Sequence, residues 1–430
     1  MSDKIGVLGL WHLGCVTSAC LATHYQVIGL DFDADLIEKL NEGRAPIFEP
    51  GLDDLLKERL AAGQLSFAVP TAGQMAEFDV LWVTYDTPVD EDDRSDVSFV
   101  LDHLHRVAVD LKRECLVVIS SQLPVGSCRQ FERAWAAKAI SVACVPENLR
   151  LGQAIEIFTK PDRILAGVRD TKVQNQLEPI LAKFSQRMIW MSPESAEMSK
   201  HAINSFLALS ITFMNEVARL CERTGADARE VSEGLRSESR IGPKAYLSPG
   251  AAFAGGTLAR DVVSLTGIAA EKGERIDVIP AIYESNEQHR LWAWRKLSQL
   301  FPSLKGRKIV LFGLTYKPQT DTLRRSSALE LARRLVEAGA HITAWDPAVR
   351  SLPQPLLSQI HLAGSAQEAA RESEALVLCT PWPEFREEDW KSMVASMKTP
   401  LVLDAGRFLA RQVADLPQIS YHAVGAPDHA

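Results

Sequence analysis

The chain has 430 residues, more than one ordinary core accommodates, so two or three domains are expected. Its 46% hydrophobic and 24% charged residues make it globular, and a net charge of −8 excludes a general nucleic-acid surface while leaving room for a local nucleotide pocket. No secretory signal opens the chain, no eighteen apolar residues run together, and the seven cysteines lack CxxC or zinc spacing; the expectation is a cytoplasmic protein with reduced thiols, no membrane span and no metal site.

Residues 4–10 read as a buried strand, followed by a helix over 13–23, a strand over 26–31 and a helix over 35–43. Further strands are expected at 80–84, 115–120 and 140–145, an alternation that means a parallel α/β sheet. From Ser195 to about Arg223 apolar residues recur at helical spacing (Ala196, Ala202, Phe206, Leu209, Phe213, Val217), and a second long helix is expected over 260–295, bent near Gly273 and Pro280. Strands return at 308–313, 341–345, 376–380 and 401–404, with a helix over 326–338. The fold class is therefore α/β: two Rossmann-like doubly wound domains (1–190 and 301–430) joined by an all-helical region (191–300). The two ends echo each other, IGVLGL against KIVLFGL and VIGLD against ITAWD.

After the first strand comes Gly9-Leu-Trp-His-Leu-Gly14. A dinucleotide fingerprint would read GxGxxG; its first and third glycines are present, and Trp11 replaces the second, which lets the backbone approach a pyrophosphate. The helix N-terminus, with His12, Leu13 and Gly14, still offers amides to phosphate. Asp31 ends the second strand, 22 residues after Gly9, where a carboxylate bonds a ribose 2′-hydroxyl and repels a 2′-phosphate, favouring NAD over NADP. A Rossmann-type sheet whose cofactor pocket is altered accounts for the same residues. Lys200 and Asn204 lie four apart on one helix face. A lysine near a sugar hydroxyl can stabilise an alkoxide or accept its proton, with the asparagine orienting that oxygen or a water; most such pairs are solvated surface residues.

Several segments, in order, resemble the UDP-glucose/GDP-mannose dehydrogenase family along nearly the whole chain: FEPGLDDLL (48–56), Thr87-Pro88, LPVG (123–126), PENLR (146–150) and AEMSKHAINSFLA (196–208). SRIGP (239–243), PGAAFAGG (249–256), GLTYKPQTDTLR (313–324), WDP (345–347) and TPWPEF (380–385) continue the match. The resemblance implies NAD as cofactor, with Thr87 beside it, and a UDP-type nucleotide sugar as substrate, with no nucleic-acid or membrane partner. It implies that Glu147, Lys200, Asn204 and Asp261 line the reaction site, the two carboxylates as bases or water-positioning groups. It places Gly255 in the loop over the sugar, Arg240 on the substrate of a neighbouring subunit in a homodimer, and Lys317 and Arg407 on the UDP moiety.

The chain departs from the family where the chemistry is most demanding. Thr257 stands where the nucleophilic cysteine belongs, Arg260 replaces a lysine, Gln122 a threonine, and Leu151 an acidic residue; Asp86 stands where a small residue is usual. In the family the thiolate adds to an aldehyde, the adduct gives up a second hydride, and the thioester is hydrolysed. A threonine hydroxyl is far less acidic than a thiol. Three outcomes follow: a dehydrogenase stopping after two electrons or reaching the acid through a hydrated aldehyde, a redox-inactive nucleotide-sugar-binding regulator, or an epimerase that retains NAD.

Overall fold

The computed structural model describes residues 4–427 apart from 89, 91–93, 255, 319, 324–325, 414–415 and 417–418. The chain divides into two compact units, one ending at Ile203 and the other beginning at Asn204.

The first unit is an eight-stranded sheet of β1 (Lys4–Leu8), β2 (Gln26–Leu30), β3 (Leu65–Ala68), β4 (Val80–Val83), β5 (Leu116–Ile119), β6 (Ser141–Cys144), β7 (Ile164–Gly167) and β8 (Met188–Met191). Its order is β3-β2-β1-β4-β5-β6-β7-β8, and every neighbouring pair is parallel except β6 and β7. The winding direction reverses between β1 and β4, which opens a crevice at their carboxyl ends. β4 and β5 are buried at every position, as a strand covered on both faces must be, and this is why they read as plain apolar runs. The short strands β3, β7 and β8 escape the sequence reading; four residues give too little pattern to separate strand from loop.

Helix Pro193–Thr224 begins in the first unit and ends in the second. The expected long helix over 260–295 is three helices, Gly256–Lys272, Val278–Arg290 and Trp292–Leu300. Gly273 makes the first break with φ +67°, a conformation disfavoured by a Cβ. Pro280 does not bend a helix; it lies in the first turn of Val278–Arg290, where its missing N–H is not needed. The second sheet is all parallel: β9 (Lys308–Phe312), β10 (His341–Trp345), β11 (Ile360–Leu362), β12 (Ala375–Leu378), β13 (Leu401–Asp404) and β14 (Ser420–His422), in the order β11-β10-β9-β12-β13-β14. Met214, Ala218, Trp292 and Leu297 of the helices pack in one core with Ile309, Leu311 and Leu403 of this sheet.

The echo between the two ends is physical. Gly9 after β1 and Gly313 after β9 both have positive φ (98° and 79°), and their amides donate 2.9 Å bonds to Leu30 and Trp345. The next amide in each turn, Leu10 or Leu314, donates to an aspartate at the end of the second strand, Asp31 at 2.8 Å or Asp346 at 2.6 Å. The two aspartates then differ. Asp346 is 1% exposed and takes further bonds from Thr315, Ala348, Val349 and the Trp382 indole. Asp31 is half-buried and, among the described residues, otherwise accepts only from Asp33 N, at 3.2 Å, so a carboxylate with about four lone-pair positions keeps some for a ligand. Among the described residues no helix is long and apolar enough to cross a membrane.

Candidate active site

In the first unit a cleft of about 880 Å³ opens at the carboxyl ends of β1, β2 and β4. Trp11, Asp31, Phe32, Tyr85 and Asp86 form part of its wall. Gly9 and Gly14 make the turn into the first helix possible: a Cβ on Gly9 would stand 2.7 Å from the Tyr85 ring, and one on Gly14 1.8 Å from the Gly9 carbonyl oxygen. Trp11 has φ −84°, so the backbone does not demand glycine there, and its indole is half exposed at the cleft wall. It caps helix His12–Leu21 without a side-chain bond, and no acidic residue lies in the first turn, so the amides of His12, Leu13 and Gly14 stay open to an anion. The cleft also holds Asp33 and Asp35 with Lys39, and Arg106 stacks on the Phe32 ring of its wall, Cζ 3.7 Å from the centroid. These residues fit the adenosine and pyrophosphate of NAD.

Two of the expected cofactor residues bond to other groups of the protein. The His12 ring turns to Glu49, with Nε2 2.8 Å from Oε2. Glu49 is 4% exposed and also accepts from Gly152 N and Ala154 N; burial alone would raise its pKa, but these donors hold it below the usual carboxylate range. Thr87 is buried and donates to the Gln122 carbonyl at 2.6 Å, tying the loops after β4 and β5 together.

Lys200 sits on helix Pro193–Thr224 with its ammonium bonded to the Glu147 carbonyl and 3.2 Å from Asn148 Oδ1. PENLR therefore acts as a backbone clamp on the lysine. The Glu147 carboxyl accepts from Leu149 N; burial pushes its pKa up against the opposing pull of that N–H and of Lys200. Beside them Gln122 Nε2 lies 3.3 Å from His201 Nδ1, and His201 Nε2 lies 3.2 Å from the Leu123 carbonyl. Gln122, where the family has threonine, is thus joined to a histidine that the sequence reading passed over. Glu197 was also missed: it is 6% exposed and accepts from Gly126 N and Cys128 N, fixing the start of helix Ser127–Ala134.

In the second unit Asn204 donates its amide to Asp261, which is fully buried. Thr257 is exposed in the first turn of helix Gly256–Lys272, one turn before Asp261. Gly255 lies outside the described residues. The loop leading to it is pinned by three buried side chains absent from the sequence reading. Asn215 accepts from Gly250 N at 3.0 Å, Asn286 exchanges two 3.0 Å bonds with Phe253, and His289 Nε2 lies 2.8 Å from the Gly250 carbonyl. Their partners are 33 to 39 residues away in sequence, so no local pattern betrays them.

A small crevice of about 70 Å³ opens where the second sheet reverses its winding, between β9 and β12, lined in part by Phe253, His289, Ser327, Leu378 and Ala405. Lys317 is half-buried, with Nζ 5.3 Å from the centroid of the Tyr316 ring. The Arg240 side chain is 87% exposed, paired only locally with Glu238 at 2.9 Å. Arg407 is not among the described residues that line this crevice. It has φ +55° and gives both terminal nitrogens to Asp227, at 2.8 and 2.7 Å.

Comparison with known proteins agrees with this geometry. The NAD binding, central and UDP binding domains of the UDP-glucose/GDP-mannose dehydrogenase family match residues 3–185, 194–288 and 310–411. The chain belongs to the UDP-glucose/GDP-mannose dehydrogenase family. It is 33% identical to the UDP-glucose 6-dehydrogenase of Pseudomonas aeruginosa, over 99% of this chain and 98% of that one, and 33% identical to that of Rhizobium meliloti, over 99% and 100%. Its fold matches a UDP-glucose dehydrogenase from Pyrobaculum islandicum with a TM-score of 0.87 at 31% identity, covering 99% of this chain and 98% of that one. A UDP-D-ManNAc dehydrogenase from Pyrococcus horikoshii follows at 0.86 and 25%, covering 99% and 100%. As a member of the UDP-glucose/GDP-mannose dehydrogenase family the chain is an NAD-dependent oxidoreductase, and the first-unit cleft lies within its NAD-binding domain.

Proposed function

We propose that the chain oxidises the 6-hydroxyl of a UDP-glucose-like nucleotide sugar and releases the product after one hydride. The observation that carries the two-electron reading is Thr257 at the nucleophile position, exposed at the start of the helix that bears Asp261. A hydroxyl there has no thiol-like acidity to trap an aldehyde, and Leu151 removes an acidic residue from the hydrolytic step.

The proposed roles follow from each group's surroundings. Lys200, its ammonium held by the Glu147 carbonyl and Asn148, stabilises the alkoxide, or in its neutral amine form takes up the hydroxyl proton. Asn204, its amide turned by Asp261, orients the sugar oxygen. Glu147, with its carboxyl pushed up by burial, is the group for moving a proton near neutral pH. NAD bound in its domain supplies the acceptor for the hydride. The crevice between β9 and β12 takes the nucleotide, with Lys317 on the diphosphate. Phe206, Phe213 and Leu220, seven apart on helix Pro193–Thr224, are 67%, 47% and 64% exposed and form a dimer face, with Arg240 reaching a neighbour's substrate. The setting is cytoplasmic synthesis of polysaccharide precursors.

The test is purified protein with NAD and a panel of UDP-, GDP- and TDP-sugars, followed by NADH absorbance. NADH with a UDP-sugar is the expected result. Sugar-nucleotide binding with no NADH on any substrate would leave a binding protein, and an isomerised sugar without net NADH would leave an epimerase.

A further inference from the structure

The second unit holds another pocket, of about 400 Å³, that shares no lining residue with the nucleotide crevice among the described residues. Four of its lining residues are arginines drawn from three places: Arg229 in helix Ala228–Ser237, Arg386 after β12, and Arg407 and Arg411 after β13. Arg407 is bound to Asp227. Arg229 feels the same carboxylate at longer range. Among the described residues Arg386 and Arg411 have no ion pair; Arg386 stacks on Phe408, with Cζ 3.9 Å from the ring centroid. Asp404 is 1% exposed and accepts from Leu409 N and the Tyr421 hydroxyl. Four arginines thus line one pocket, in a chain whose net charge is −8, and among the described residues no carboxylate residue joins that lining. Gln412, also on the wall, has a buried Oε1 with no hydrogen-bond partner among the described residues.

Like charges gathered on one wall repel one another unless an anion joins them. Guanidinium forks match phosphate oxygens two at a time, and a pocket of this volume admits a small ligand. The Phe408 face is already covered by Arg386, so the recognised part is the phosphate group, not a stacked base. We propose that this pocket binds a diphosphate-type anion at a site separate from the nucleotide crevice. The inference rests on the arginine geometry alone and stands whether or not the chain oxidises a sugar. The anion is either free pyrophosphate or the diphosphate of a nucleotide.

The experiment is calorimetric titration of inorganic pyrophosphate into the full chain, the Arg386→Gln/Arg411→Gln double variant and Arg229→Gln, each checked for fold by circular dichroism. Pyrophosphate should bind the wild type and lose at least tenfold in affinity in the double variant, while UDP-glucose affinity stays the same. Arg229→Gln, altering a different element, should weaken pyrophosphate in the same direction. Competition by UDP would identify a nucleotide as the natural source, and its failure to compete would identify free pyrophosphate. No pyrophosphate binding, equal binding by folded variants, or a parallel loss of UDP-glucose affinity would overturn the proposal.

Discussion

Protonating His289 should break its contact with Arg219 and destabilise the second unit. At neutral pH Nε2–H donates to the Gly250 carbonyl at 2.8 Å, which leaves Nδ1 to accept from Arg219 Nη1 at 3.2 Å. A proton on Nδ1 would remove that acceptor and set two cations in contact, in a residue 2% exposed. Burial first, then Arg219 and Arg295, hold the pKa at about 4 against 6.5 for a free imidazole, with the Gly250 bond opposing. Between those values the unfolded chain carries the extra proton, so this histidine's contribution is present above the ordinary pKa and is lost as pH falls through the window. The linkage amounts to about 2 kcal/mol at about pH 5 and about 3 kcal/mol once the folded-state histidine titrates. Thermal unfolding of the wild type and His289→Gln, compared at about pH 7.5 and about pH 5, isolates the term, because glutamine donates without titrating. The wild type should lose about 2 kcal/mol more than the variant. Equal losses would refute the reasoning.

Lys200→Ala should lower turnover by roughly 10²–10⁴-fold while leaving NAD affinity unchanged, as read from steady-state rates and calorimetry. Gly14→Ala, which drives a Cβ to 1.8 Å from the Gly9 oxygen, should cost about 3 kcal/mol or more in thermal unfolding. Trp11→Gly should cost only about 1 kcal/mol of stability yet tighten NAD binding by on the order of tenfold, measured by calorimetry, because the backbone at φ −84° needs no glycine and the indole borders the cleft. Thr257→Cys should form a second NADH and retain an acyl mass on the protein, detected by mass spectrometry, because Leu151 leaves the hydrolytic step without its acidic residue.

The α/β alternation was legible because β1, β4, β5 and β9 are unbroken apolar runs, the signature of strands covered on both faces. The helical middle was legible from its period, and Gly273 marked one true break; Pro280 misled because a first-turn proline and a kinking proline look alike in sequence. Thr257 stood out through its place in a motif. The supports of the site were hidden. Glu49 meets Ala154 across 105 positions, Glu197 meets Gly126 across 71, and Asn286 meets Phe253 across 33. Their buried acceptors and amides complete turns made by distant segments, which no local period records. Arg407 was singled out by its motif, but its partner Asp227, 180 positions away, was hidden in the same way.

The number of NADH molecules formed per UDP-glucose consumed, read by absorbance at exhaustion of the sugar, tests the central claim most directly. One per sugar, with an aldehyde product, is what a threonine at position 257 predicts; two per sugar, with the acid released, would contradict it.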